Sequence, residues 1–517
     1  MTLLRGAVWC ASLAAFSGFG VAQSLAGQTP GLLSPEHVGR AGEPPTRYGR
    51  AIALVMLRER TAIAVTATGS EIVEVARRDR TTATWTIRSH KVGMESVRPL
   101  VALGPNGHIT AAWVVGGRVV ISSRDPVRGR WSDAEALSEG GVTAVRLATS
   151  IDGDTLVAWV RDDRLYTRLR PAGVPRFGGT QAVTAEPARL SLSESALLID
   201  TFGEGAIAWS EQPTSDRSNA RQVLRVALRA AGNDSIWGAP ELLPIGRAAA
   251  VALPPVVGAD AAGTITAAWI EEGLAKSADR TTSGAEWTLA QGSVFASPPD
   301  LTSVALTIEP SGRAVMAAIE QVSPTLSAVR IAARDGSADR WSEAGVSPAK
   351  RSTGKDSLAI STTALGDALV VHGRAGDDCR GTVTVLASGA SRRGDAADMA
   401  GVCDSVSIVV DQTGDAIVAG VGSDKTLQAA LRPVAGLVLD LESGAAGRIR
   451  IRASAPSSVL LTVRRAGRVV ARRTAFATTD WRTVPIAGTG APGRYQVSAR
   501  ATSGSAASAI ETLPLRR

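Results

Sequence analysis

The chain has 517 residues, 44% hydrophobic and 20% charged with a net charge of +8, which is the balance of a folded protein too long for one simple core. Only 4% of residues are aromatic, yet the 11 Trp outnumber the 6 Phe and 3 Tyr, which points to tryptophan in a repeated slot. The four His (37, 90, 108 and 372) are scattered and show no zinc spacing; no Gly-rich phosphate loop, GxSxG elbow or HExxH occurs, and no motif calls for a cofactor or metal.

The amino terminus reads MTLLR, then GAVWCASLAAFSGFGVA, then QSLAG: a positive start, an apolar run and small residues suited to cleavage. This predicts a signal peptide over residues 1–26, cut between Ala22 and Ala26, with an uncleaved anchor as the alternative. Trp9 before Cys10 argues against a lipoprotein signal, and no later segment is apolar for long enough to span a membrane. The expected location is therefore secreted, extracellular or on the cell envelope.

From Thr61 the chain repeats itself. The segments GHITAAWV, GDTLVAWV, GEGAIAWS and GTITAAWI place Trp113, Trp159, Trp209 and Trp269 in one equivalent slot. Weaker copies put the slot at positions 65, 318, 372 and 420, which makes eight copies with a mean step of about 51 residues. Within one period, RPLVALG, HITAAWVV, RVVISSR and WSDAEALS alternate apolar and polar residues, separated by Gly, Asn, Asp and Pro turns. Four short strands per period predict an all-β fold and β-propeller blades starting near 51, 97, 144, 194, 252, 301, 356 and 404, within a domain spanning 27–436. Eight blades is the expectation and seven the alternative. The last copy shows three strands, and PGLLSPEHV near the amino terminus resembles the missing fourth.

A second tryptophan follows the third strand of most copies: Asp79 and Trp85, Asp125 and Trp131, Asp279 and Trp287, Asp335 and Trp341, with Trp237 closing a shorter version. This turn resembles a degenerate Asp-box of sialidase-like propellers, with Ser123, Asp125, Gly129 and Trp131 matching it best. The resemblance implies a fold element in which Asp accepts backbone N–H bonds and Trp plugs the space between sheets.

Arg50, Arg98, Arg146 and Glu194 recur every 48 residues at the head of the innermost strand, where a propeller's central face receives its ligand. They are candidate ligand-binding residues, because a guanidinium fork matches a carboxylate. Sialidases hold a substrate carboxylate with three arginines, and GRAIAL resembles the first such motif faintly. Their chemistry also needs a Tyr paired with a Glu, and of the three tyrosines Tyr48 alone falls near that face, with Tyr166 and Tyr495 elsewhere. Asp152 and Asp154, Asp377 and Asp378, and Asp411 and Asp415 read as turns before calcium ligands.

Removal of the signal leaves Cys379 and Cys403, which in an exported chain suggest one disulfide across the last two blades, or else two buried thiols. Residues 437–517 read as a β-sandwich similar to Ig-like or fibronectin-like modules. Residues 438–517 hold 13 Arg, no Lys and 4 acids, a balance of +9 that leaves −1 for the rest. Arg448, Arg450, Arg452, Arg464, Arg465, Arg468, Arg472 and Arg473 are the candidate contacts to an anionic surface, the first three expected on one strand face with Ile449 and Ile451 inside. The expected partners are acidic glycans or anionic envelope polymers; export and the lack of stacking aromatics exclude nucleic acid as the biological partner. The expected function is a secreted, non-enzymatic binding or scaffold protein. The alternative is a sialidase-like glycoside hydrolase acting on acidic glycans.

Overall fold

The structure, a computed structural model, describes residues 36–37, 49–56, 62–68, 72–78, 85–90 and 99–516 apart from short connecting segments. The predicted signal peptide, Arg98 and Glu194 lie outside the described residues. Among those described, every regular element is a β-strand, and no helix is long and apolar enough to cross a membrane.

Up to Arg432 the strands form eight antiparallel sheets of four or five strands, units 1 to 8, whose first strands begin at Gly49, Leu100, Val142, Arg189, Val256, Leu301, Ser357 and Asp404. Two-residue turns set the register between second and third strands. At Gly116–Gly117, Asp162–Asp163 and Glu272–Gly273 both residues have positive φ, the hairpin geometry whose twist suits paired strands. Unit 8 takes its fourth strand from the other end of the chain: Glu36 and His37 pair with Ala429 and Gln428.

Each second strand is buried on both faces, so neighbouring residues serve different cores. Ala111 and Trp113 pack with Val55, Ile63 and Val65 of unit 1, whereas Ala112 and Val114 pack with Val157 and Trp159 of unit 3. The same sharing runs through every successive pair of units. It returns to the start, because Ile417, Ala419 and Leu431 of unit 8 pack with Leu54, Met56 and Ala64 of unit 1.

The tryptophans follow one rule. Trp113, Trp159, Trp209 and Trp269 each face the preceding unit, and Trp159, Trp209 and Trp269 are among the largest fully buried side chains. The second series faces the same way. Trp237 Nε1–H donates to Thr167 Oγ1 at 2.7 Å, Trp287 to Glu241 Oε2 at 2.9 Å and Trp341 to Ser277 Oγ at 2.8 Å, each acceptor lying on the unit before. In unit 7 the slot holds His372, buried, with Nε2 3.0 Å from Asp356 Oδ2.

The turn at Asp125 closes through its backbone: Asp125 N–H donates to Arg130 O and Gly129 N–H to Asp125 O, both at 2.9 Å. Asp279 does something else. It lies within the strand Leu274–Arg280, and its carboxylate engages Arg334 of the next unit.

Cys379 and Cys403 form a disulfide between the third strand of unit 7 and the segment entering unit 8. Beyond Arg432 a three-stranded and a five-stranded sheet share one apolar core that includes Leu441, Ile451, Leu461, Val463 and Val497.

Candidate functional site

Seven of the eight third strands end in arginine: Arg78, Arg124, Arg170, Arg229, Arg280, Arg334 and Arg432, with Leu386 in unit 7. In units 1 to 6 an aromatic residue follows seven or eight positions later, and in unit 3 it is Phe177, where the others have tryptophan. The spacing brings ring and cation together. Arg170 lies over Phe177 at 5.2 Å and Arg334 over Trp341 at 5.1 Å.

What each of these arginines finds in front of it depends on the preceding unit. Arg334 meets Thr266 and Asp279, and its Nη1 and Nη2 donate to the two carboxylate oxygens at 2.5 and 2.6 Å. Arg280 pairs with Glu241 at 3.0 Å. At the equivalent stations unit 3 carries the register partners Leu156 and Leu169, and Arg229 donates to the carbonyls of Ala230 and Gly232.

Arg170 meets hydroxyls. Its Nη1 donates to Ser123 Oγ at 2.7 Å, and its Nη2 to Thr110 Oγ1 at 2.7 Å and Thr155 Oγ1 at 3.1 Å. The residue is only 7% exposed, and no carboxylate among the described residues lies within ion-pair distance of it. Burial holds this guanidinium below the ordinary arginine range, with Glu135 acting against the shift from a distance. Nearby His108 is likewise held below the ordinary imidazole range, first by burial and then by the Arg170 charge, with Asp125 opposing.

These groups line a cleft of about 890 Å³ between units 2 and 3. Trp131, Val174 and Pro175 supply apolar wall, while the exposed Asp133, Glu135 and Asp152 stand at its edge. The cleft combines a recessed cation, hydroxyls and a ring face, which is a chemistry for binding. Sequence reasoning overlooked Arg170. The signal was present as arginine seven or eight residues before each second-series aromatic, with Phe177 hiding unit 3 from a search for tryptophan.

The expected central ladder is only partly described. Arg50 lies in the strand Gly49–Met56, and Arg98 and Glu194 fall outside the described residues. Arg146 is committed to protein: its Nε and Nη2 donate to Ser193 O and Leu192 O of unit 4, and its Nη1 to Val145 O.

The carboxy-terminal arginines divide. Arg448, Arg465, Arg468, Arg472 and Arg473 are exposed, and Arg450 and Arg464 are half-buried. Arg452 corrects the expectation, because it is fully enclosed and cannot meet a surface. An enclosed guanidinium requires partners, which it has; its register neighbour across the strand pair is Asp440. On the five-stranded sheet, Thr462 lies opposite Arg472 on one side and Ser498 on the other, and Leu460 lies opposite Arg500. Arg464, Arg472 and Arg500 therefore share the outer face with Leu460 and Phe476, which are 49% and 52% exposed. Arg473 points to the sheet edge, where its Nη1 donates to Pro485 O at 2.9 Å.

No protein-family model matches the chain, and no curated protein sequence matches it. Solved structures do. The Dos1 propeller is similar over 78% of this chain and 96% of its own, at 10% identity and a TM-score of 0.51. The BP39L lectin from Burkholderia pseudomallei aligns over 68% of this chain and 100% of its own, at 15% identity and a TM-score of 0.47. The polysaccharide lyase Uly1 aligns over 77% and 93%, at 12% identity and a TM-score of 0.41. The Dos1 likeness and the sheet order together make this an all-β, propeller-like fold.

Proposed function

We propose that the chain is an exported, non-enzymatic binding protein: an eight-bladed propeller that offers clefts between its blades, followed by an Ig-like β-sandwich whose basic outer face adheres to an anionic envelope polymer. The observation that carries this reading is the shared face of Arg464, Arg472 and Arg500. Three arginines, one on each of three neighbouring strands, put their charges on one face, with no acidic side chain among the described residues of that face. Leu460 and Phe476 add exposed apolar surface beside them. Such a face is attracted to polyanions through a field that salt screens.

The central arginine ladder is left out of this reading because Arg146 is spent on carbonyl oxygens, Ser193 O and Leu192 O of the neighbouring unit and Val145 O of its own. Eight units whose cores follow in cyclic order, with the last sheet completed from the amino terminus, support the blade count.

Retention of the full mature chain on immobilised lipoteichoic acid, measured across a salt series, tests the proposal. An arginine near an anionic surface contributes about 1 kcal/mol, so the triple variant Arg464→Glu, Arg472→Glu, Arg500→Glu is expected to lose affinity on the order of a hundredfold. Retention indifferent both to salt and to these substitutions would overturn the reading.

A further inference from the structure

The molecule contains its own reference for the cleft between units 2 and 3. Thr266 and Asp279 are register partners on unit 5, and Arg334 of unit 6 reaches back to both. Thr110 and Ser123 are register partners at the same stations of unit 2, and Arg170 of unit 3 reaches back to both. The arginine, the threonine and the aromatic ring under the guanidinium are all kept. Two elements differ: Ser123 stands where unit 5 has Asp279, and the register partner of the arginine is Thr155 for Arg170 where it is Ala314 for Arg334.

Aspartate to serine removes a carboxylate and leaves the cation. A buried guanidinium without its carboxylate is unfavourable, and three neutral hydroxyls compensate only in part. They engage three of its five N–H groups, so donor capacity remains; the hydroxyls of Thr110 and Ser123 lie 3.5 Å apart with one donating to the other, which leaves one of their two protons to give. In unit 5 the protein's own carboxylate pairs with the arginine. Between units 2 and 3 the arginine lines the cleft of about 890 Å³.

We infer that this cleft binds an exogenous carboxylate borne on a pyranose ring, a hexuronic acid residue, with the carboxylate taking the place that Asp279 fills between units 5 and 6. Arg170 and one hydroxyl of the Ser123–Thr110 pair donate to the carboxylate. Trp131 and Pro175 give the ring an apolar wall. Four carboxylates line the cleft, the half-buried Asp125 and the exposed Asp133, Glu135 and Asp152; they accept hydrogen bonds from the ring hydroxyls and repel a densely charged polyanion, so the ligand carries one carboxylate among neutral groups. This site is separate from the basic face of the carboxy-terminal sheet.

The test uses the full mature chain and three probes: methyl glucuronide, its neutral twin methyl glucoside, and acetate, titrated by calorimetry and by ligand-observed NMR. Glucuronide is expected to bind at least about tenfold more tightly than glucoside or acetate, because a buried arginine and a ring wall act together. Ser123→Asp restores the unit 5 arrangement; it is expected to abolish glucuronide binding while melting at or above the parent temperature. Arg170→Gln is expected to abolish binding too. Equal binding of glucuronide and glucoside, no saturable binding, unchanged affinity in Ser123→Asp, or a Ser123→Asp protein that melts well below the parent would each overturn the inference. Retention on lipoteichoic acid should not change in Ser123→Asp, so failure here is distinguishable from failure of the adhesion proposal.

Discussion

Arg334 of unit 6 clamps the carboxylate of Asp279 on unit 5 through two hydrogen bonds of 2.5 and 2.6 Å, so one ion pair fastens two sheets that are 55 residues apart in sequence. Arg334 is 5% exposed and Asp279 26%, so the pair is shielded on the cationic side only. Asp279→Ser strands the guanidinium. The expected cost, by chemical denaturation, is about 2–3 kcal/mol, at the low end for a broken buried pair because water still reaches the carboxylate. A double variant with Arg334→Met should recover part of it.

The slot tryptophans are alike in shape and differ at the indole nitrogen. Trp209 Nε1–H reaches Glu211 Oε2 at 3.3 Å, whereas the buried N–H groups of Trp113 and Trp159 have no acceptor among the described residues. Replacing Trp159 and Trp209 by Phe removes the same volume, so the difference between the two costs isolates the N–H. Trp209→Phe is expected to be the more destabilising by about 1 kcal/mol, since Trp159→Phe also relieves an unsatisfied donor. Parallel urea titrations measure it.

Gly373 follows His372 in unit 7 and admits no side chain. A Cβ there would stand 2.6 Å from both Ser357 Oγ and Val406 Cγ1, and 2.9 Å from the carbonyl of Cys403. Gly373→Ala therefore pushes units 7 and 8 apart beside the disulfide, at an expected cost of about 2–3 kcal/mol. Gly104→Ala, whose nearest neighbour would be Thr149 Cγ2 at 3.3 Å, should melt closer to the parent.

Asp356 gives the protein an acid limit. Burial raises its pKa, but hydrogen bonds from His372, Ser327 and Ser352 outweigh that and hold it below the ordinary aspartate value. A carboxylate depressed in the folded state adds stability above its unfolded pKa, and that stability is lost as pH falls through the folded value. Thermal unfolding followed from neutral pH downward should show the melting temperature falling below about pH 4. Asp356→Asn should melt lower at neutral pH and show a flatter acid limb. An unchanged slope would remove Asp356 from the account.

Much of the architecture was legible from residue type alone. The slot strand Ile109–Val115, its counterparts at Thr155–Arg161 and Ile265–Glu271, and the disulfide between Cys379 and Cys403 all follow from alternation, turn residues and cysteine count. The strand at Glu36–His37 could be suspected because unit 8 lacked a fourth. Arg452 misleads for a related reason: alternation says that it shares a strand face with Arg448 and Arg450, and nothing about which part of that face another element covers.

What the sequence by itself determined is local. Period-2 alternation, two-residue turns and a recurring indole are properties of a few neighbouring residues, and they survive in every copy that keeps them. What only the tertiary structure decided is the partner of each third-strand arginine. For Arg170, Arg280 and Arg334 that partner sits on the preceding sheet, 47 residues from Arg170 at Ser123 and 55 from Arg334 at Asp279, and it is reached only when both registers and the stacking order are set. An arginine in such a place is neutralised by its own protein or left able to take a carboxylate from outside, and packing between sheets makes that choice.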